Sequence, residues 1–189
     1  MASVGGAAYH GAMRQRLVRH PDTPCDAVTE IGVEIARIAP TVLKLTYMVQ
    51  GEIARLAIPA AAGAARTDEL WRHTCFEAFA KPAGGEGYLE FNFAPSGQWA
   101  AYRFDGYRQG MRLAEDVVLP NVAVRRGPGW LEIAALADVG EGPVRLGLSA
   151  VIEAADGRKS YWALRHPPEK PDFHHPDCFA LEIPAPLAS

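Results

Sequence analysis

The segment Leu70-Trp71-Arg72-His73-Thr74-Cys75-Phe76-Glu77-Ala78-Phe79 is followed, after a glycine-rich break, by Tyr88-Leu89-Glu90-Phe91-Asn92-Phe93-Ala94-Pro95-Ser96-Gly97-Gln98-Trp99. In both, aromatic and aliphatic residues alternate with charged and amide residues at a period of two. Successive side chains of a strand point to opposite faces, so this spacing predicts two short strands and not helices. Leu89, Phe91 and Phe93 form one apolar face and predict a core; Tyr88, Glu90 and Asn92 share the other. On the preceding strand Cys75, Glu77 and Phe79 share a side. If the two polar-bearing faces lie side by side, one sheet surface presents carboxylate, amide and phenol together.

The same pattern extends outward. Ile31, Val33 and Ile35 alternate with Gly32, Glu34 and Ala36, and Leu43, Leu45, Tyr47 and Val49 alternate over a run of eight. Residues 53–58 are expected to form a hairpin partner to that run, stopped by Pro59. Residues 67–70 read as an N-capped helical turn. Further strands are expected over 98–104, 116–125, 130–137, 145–153 and 160–165, with Asp156-Gly157 as a hairpin turn and Gly127-Pro128-Gly129 as another. Phe179, Leu181 and Ile183 alternate in a last strand. Many short strands, turn residues between them and no long amphipathic helix indicate an all-β antiparallel sandwich. A length of 189 residues suits one domain, here 17–189, preceded by a Gly- and Ala-rich flexible arm over 1–16.

Composition narrows the function. A formal net charge of −3, with arginines scattered among acids, gives no footprint for nucleic acid. No apolar run reaches the roughly 20 residues of a membrane span, and no secretory signal pattern opens the chain. The three well-separated cysteines suit reduced thiols and a cytoplasmic setting.

Trp71, Glu77 and Asn92 pair a flat ring with hydrogen-bonding groups, the combination a sugar needs for its C–H face and its hydroxyls. The run from His166 to Cys178 is rich in His and Pro and predicts an ordered loop, a common place for function. Its Asp172, His175 and Asp177 are candidate metal ligands, for calcium or a transition ion, although their spacing matches no standard motif. Cys75 with His73 lacks an orienting third group and reads as a packing residue. An enzyme would have to be a carboxylate or metal-assisted hydrolase built on Glu77, His73 and the His174-His175 loop, with Glu77 and Glu90 as an acid pair.

Together with Pro171-Asp172-Phe173-His174-His175-Pro176-Asp177-Cys178-Phe179, the two opening segments resemble the DOMON-like proteins of bacteria, a group related to the family-nine carbohydrate-binding modules. The likeness runs from about residue 17 to residue 181. It implies an immunoglobulin-like or jelly-roll sandwich with a ligand site on one sheet and its loops. In family-nine modules a Trp just before a strand and a Glu on it hold a terminal sugar, and a second Trp closes over it. Trp71 and Glu77 fall at the first two places. Trp162 is expected as the second ring, with Trp99 as the other choice, Asn92 as the amide and Arg72 as a further hydrogen-bonding group. His73 and Cys75 stand where acidic residues are common. Related DOMON domains bind haem through Met and His, which here would pair Met48 or Met111 with His166 or His174.

The leading expectation is therefore a non-catalytic module for a sugar, a glycan or a sugar-containing metabolite. It requires no cofactor, with haem or calcium as alternative ligands. A protein partner on the aromatic face is a further alternative.

Overall fold

The computed structural model describes residues 11–118 and 122–186. Twelve strands are assigned among them: β1 (Met13–Arg19), β2 (Val28–Arg37), β3 (Val42–Gly51), β4 (Cys75–Pro82), β5 (Tyr88–Phe93), β6 (Trp99–Phe104), β7 (Arg112–Leu113), β8 (Val122–Gly127), β9 (Trp130–Asp138), β10 (Val144–Glu153), β11 (Lys159–Ala163) and β12 (Leu181–Ile183). Their ladders are antiparallel and follow the order β7-β6-β5-β4-β10-β11-β1-β2-β3-β9-β8, with β12 on β10. This path curls on itself into an all-β antiparallel sandwich. Sheet I is β1-β2-β3-β9-β8 and sheet II is β7-β6-β5-β4-β10-β11. The corner is β1, whose Met13–Leu17 half pairs with β2 while Val18 and Arg19 pair with Ala163 and Trp162 of β11.

The alternation explains the core. Ile31, Val33, Ile35, Leu43, Leu45, Tyr47, Val49, Leu131 and Ile133 from sheet I meet Phe76, Ala78, Phe91, Phe93, Leu146, Leu148 and Ile152 from sheet II. Burying such side chains stabilises by about 1.5–3 kcal/mol each, before the entropy cost of ordering them. Across this core the Tyr47 hydroxyl donates to the Glu77 backbone carbonyl at 2.8 Å, tying β4 to the opposite layer.

Four expectations are corrected. Residues 13–16, assigned to the arm, belong to β1, where Met13 and Leu17 pack inward and the backbone pairs with β2. Polar Arg14, Gln15 and Arg16 masked this strand; the arm's residues 1–10 lie outside those described. Residues 53–58 are not a hairpin partner: they begin with the 3-10 turn Ile53–Arg55, and β3 instead pairs with β2 and β9. On one edge β3 forms a hairpin with its neighbour β2, and on the other the long-range strand β9 takes the place expected for 53–58. The strand expected over 116–125 starts only at Val122, with 119–121 outside the described residues. The helical turn near residue 67 is a 3-10 turn over Leu70–Arg72, entered through Glu69 at a left-handed φ of 58°.

Sheet II is buried on both faces, so β4 carries six consecutive buried residues from Cys75 to Ala80. Its inner face joins the sandwich core. Its outer face holds a second apolar cluster, Phe79, Tyr88, Ala100, Tyr102, Phe104, Val151, Ala163, Phe173 and Phe179, with Trp71 and Tyr161 packed against it. The 164–180 connection between β11 and β12 folds over this face. It comes so close that a Cβ on Gly147 would sit 3.1 Å from the Cys178 carbonyl oxygen, which is why β10 carries a glycine there.

Candidate functional site

The outer face of sheet II and the loops above it enclose a cavity of about 350 Å³. Its floor is Glu77 of β4, Glu90 of β5 and Val151 of β10. Its walls are Trp71 from the 3-10 turn, Phe104, Tyr161, Arg108 and Met111 from the loop between β6 and β7, and 171–174 from the covering loop. The volume lies at the small end of the ligand-pocket range and suits a small molecule.

Period-two alternation aims Glu77 and Glu90 away from the core, as expected. The covering loop then buries them, so neither is solvated: both are under 5% exposed. Asn92 lies opposite Glu77 in the ladder and is fully buried beside Glu90, donating from Nδ2 to Glu90 Oε1 at 2.7 Å. Cys75, fully buried, donates from Sγ to Asn92 Oδ1 at 3.4 Å. Burial first, then the neighbouring Glu77 carboxylate, holds its thiol well above the usual range, and Cys75 acts as a packing residue.

Two carboxyls in this setting do not ionise easily. Burial, then repulsion by Glu90, pushes Glu77 well above the normal carboxylate range. Burial raises Glu90 to about 7 against the opposing Asn92 hydrogen bond and the Arg108 charge. Glu77 Oε1 is buried with no hydrogen-bond partner.

The roof is a second network. Asp172 accepts from Arg108 Nη2 at 2.7 Å and Nε at 3.2 Å, from the Tyr107 hydroxyl at 2.5 Å and from the His174 backbone N–H at 3.1 Å. Burial acts to raise Asp172, but the hydrogen bonds from Arg108 and Tyr107 outweigh it and hold the carboxyl below its usual value. Arg108 adopts a φ of 53°, uncommon for a residue with a side chain, and these contacts hold it there. Its backbone N–H donates to the Tyr88 hydroxyl at 3.3 Å, which shares a 2.8 Å hydrogen bond with His174 Nδ1. Burial, then the Arg108 charge, lowers His174 to about 4, so the ring is neutral, its Nε2 3.8 Å from Glu90 Oε2.

The residues expected at the site divide accordingly. Trp71, Glu77, Asp172 and His174 line the cavity, and Asn92 supports its floor. Trp162 and Trp99 are corrected: both belong to the inter-sheet core, Trp162 donating from Nε1 to Ser160 Oγ at 3.0 Å and Trp99 lying under the Arg66 guanidinium. Each sits on the inner-facing parity of its strand, opposite to Trp71. Arg72 and His73 point outward, paired with Glu69 and Glu153 at 2.7 Å each. His73 therefore does not join Glu77 in a hydrolytic set. His166 bonds the Val18 carbonyl at 2.8 Å and packs edge-on against His20.

The metal candidates do not converge. Asp172 is saturated by its roof partners, while His175 caps the 3-10 turn Pro176–Cys178 by accepting from the Asp177 N–H. Among the described residues, no group of three His, Cys, Asp or Glu side chains forms a ligand set. Of the haem pairs considered, Met111 and His174 share the cavity, whereas Met48 lies in a separate depression beside Trp130. His174 has Nδ1 engaged by Tyr88 and Nε2 facing Glu90, so neither nitrogen is presented to an iron.

Sequence reasoning missed Arg108, Tyr107, Tyr161 and Phe104. Tyr161 and Phe104 carried a signal, since they fall on the parity of Glu77's face once the strands are in register. Arg108 and Tyr107 carried none, because loop residues have no periodicity.

No family model and no curated relative matches this chain. One solved structure does share its fold. It is that of a protein of Bacteroides uniformis described as a putative carbohydrate-binding protein, with a TM-score of 0.65 over 87% of this chain and 83% of that one at 18% identity. Among the described residues no helix is long and apolar enough to cross a membrane.

Proposed function

We propose that the chain is a non-catalytic, one-domain binding module of the DOMON-like and family-nine type, whose ligand is a sugar or sugar-containing metabolite seated on the outer face of sheet II. The observation that carries this reading is the cavity itself. One wall is the partly buried indole of Trp71, set edge-on 5.4 Å from the Tyr102 ring, and the floor is two buried carboxyls backed by an amide. A pyranose offers an apolar C–H face to the ring and hydroxyl donors to the carboxyls. Because Trp162 is in the core, stacking is one-sided, with Tyr161, Phe104 and Phe173 supplying the remaining apolar wall. The Bacteroides uniformis protein of the same fold, with its carbohydrate-binding description, supports the reading. The three cysteines of this chain, all unpaired, suit a cytoplasmic metabolite more than an extracellular polymer.

Titration calorimetry against a panel of mono- and disaccharides tests this. Binding that Trp71→Ala weakens at least tenfold, with an unchanged melting temperature, is the expected result. A panel with no binder overturns the proposal.

A further inference from the structure

Resting on the sugar reading, we infer that the preferred ligand is an amino sugar, with its protonated amine seated against Glu77 and Glu90. Three carboxyl residues, Glu77, Glu90 and Asp172, line the cavity, against one arginine and no lysine. The arginine is held on the roof, its Nε and Nη2 both donating to Asp172 Oδ1, and its charge offsets the floor carboxyls only in part. His174 is neutral and offers no charge. No full counter-charge reaches the floor, so its carboxyls hold their protons until a cation arrives.

The unpaired group is in the same place. Glu77 Oε1 is buried without a partner, although buried polar atoms are paired in the great majority of native structures. The cross-strand neighbour of Glu77 on β10 is Ser149, a neutral hydroxyl that draws the carboxyl down without supplying a counter-charge. A hydroxyl would supply one donor and no charge. An ammonium supplies three donors and a positive charge, enough to serve both Glu77 and Glu90, and charge-assisted hydrogen bonds are about twice as strong as neutral ones. The aromatic wall of Trp71 and Tyr161 also favours a cation over a neutral group.

The test is calorimetry on the full chain at neutral pH with glucosamine, galactosamine and mannosamine, each beside its parent hexose and its neutral N-acetyl derivative, and with 2-aminoethanol as a sugar-free amine. One amino sugar is expected to bind at least tenfold more tightly than both neutral counterparts. Glu77→Gln should weaken the amino sugar by more than it weakens the parent hexose and so remove that margin, and Glu90→Gln, checked by its melting curve, serves should the first variant fail to fold. Hexoses that bind as tightly as the amines overturn the inference and leave the sugar reading standing. Binding of 2-aminoethanol without any sugar supports the amine seat and overturns the sugar reading. Silence from every compound overturns both.

Discussion

The two faces of sheet II are equally buried and yet built differently. The inner face, with Phe76, Phe91, Phe93 and Leu148, is covered by another sheet whose side chains interdigitate with it. The outer face, with Glu77, Glu90, Asn92 and Ser149 among its aromatics, is covered by a connection that arches over it. A sheet covers a sheet at close-packed density. A loop carries its own backbone polar groups and needs room for them, so it closes over the face only in part. What remains is a cavity with unpaired carboxyl oxygen at its floor. The contrast teaches that burial alone does not distinguish core from site; the kind of element doing the covering does.

The largest test of that contrast lies on the inner face. Phe91→Ala is expected to destabilise the fold by about 3–5 kcal/mol through a cavity that a rigid sandwich cannot refill. Urea unfolding checks this, and a loss below about 1 kcal/mol would mean that the inner face is no better packed than the outer.

On the outer face the decisive variable is pH. Glu90 is held at about 7 in the folded protein, against 4.5 for an ordinary glutamate. A folded value above the unfolded one means that the native state holds the proton more tightly. The stability from Glu90 is thus fully present below about 4.5 and is lost as pH rises through about 7. Glu90→Gln abolishes this dependence. Relative to the wild type, the variant should gain on the order of 3 kcal/mol between about pH 4 and pH 8. Denaturation curves at both pH values, with the wild type as reference, read it directly. A constant difference would mean that Glu90 is better solvated than its burial indicates.

Trp71→Ala is expected to act on ligand more than on fold, weakening sugar binding about tenfold, or about 1.4 kcal/mol, because the indole is only partly buried against the outer cluster. A matching loss of melting temperature would make Trp71 a packing residue instead. The smallest effect belongs to the roof. Arg108→Ala removes two hydrogen bonds to Asp172, but the guanidinium is half exposed, and solvent screening leaves about 1 kcal/mol. Faster proteolysis of the 166–178 loop in this variant, with the sandwich core intact, would confirm that the roof and core are separately held.

Much of the architecture was legible in the chain. Strict alternation in 43–50 and 88–93 identified strands and their inward faces, because sheet pairing leaves side-chain parity no freedom. The same parity separates Glu77 from Phe76. It failed for 13–16, where Arg14 and Arg16 point outward and only Met13 and Leu17 mark the buried side. It also could not rank the tryptophans, since parity assigns a face but not which face is core when both are apolar.

By itself the sequence determined an antiparallel sandwich, the partition of each strand into two faces, and Trp71 and Glu77 as neighbours of one surface. These follow from local geometry, in which each residue's direction depends only on its position along the strand. Tertiary structure alone decided that Trp162 and Trp99 belong to the core, that His73 pairs outward with Glu153, and that Arg108 and Asp172 form the roof of the cavity. Those outcomes depend on which distant segments meet, β11 against β1 and the 105–111 loop against the 166–178 loop. No periodicity within either segment records that meeting.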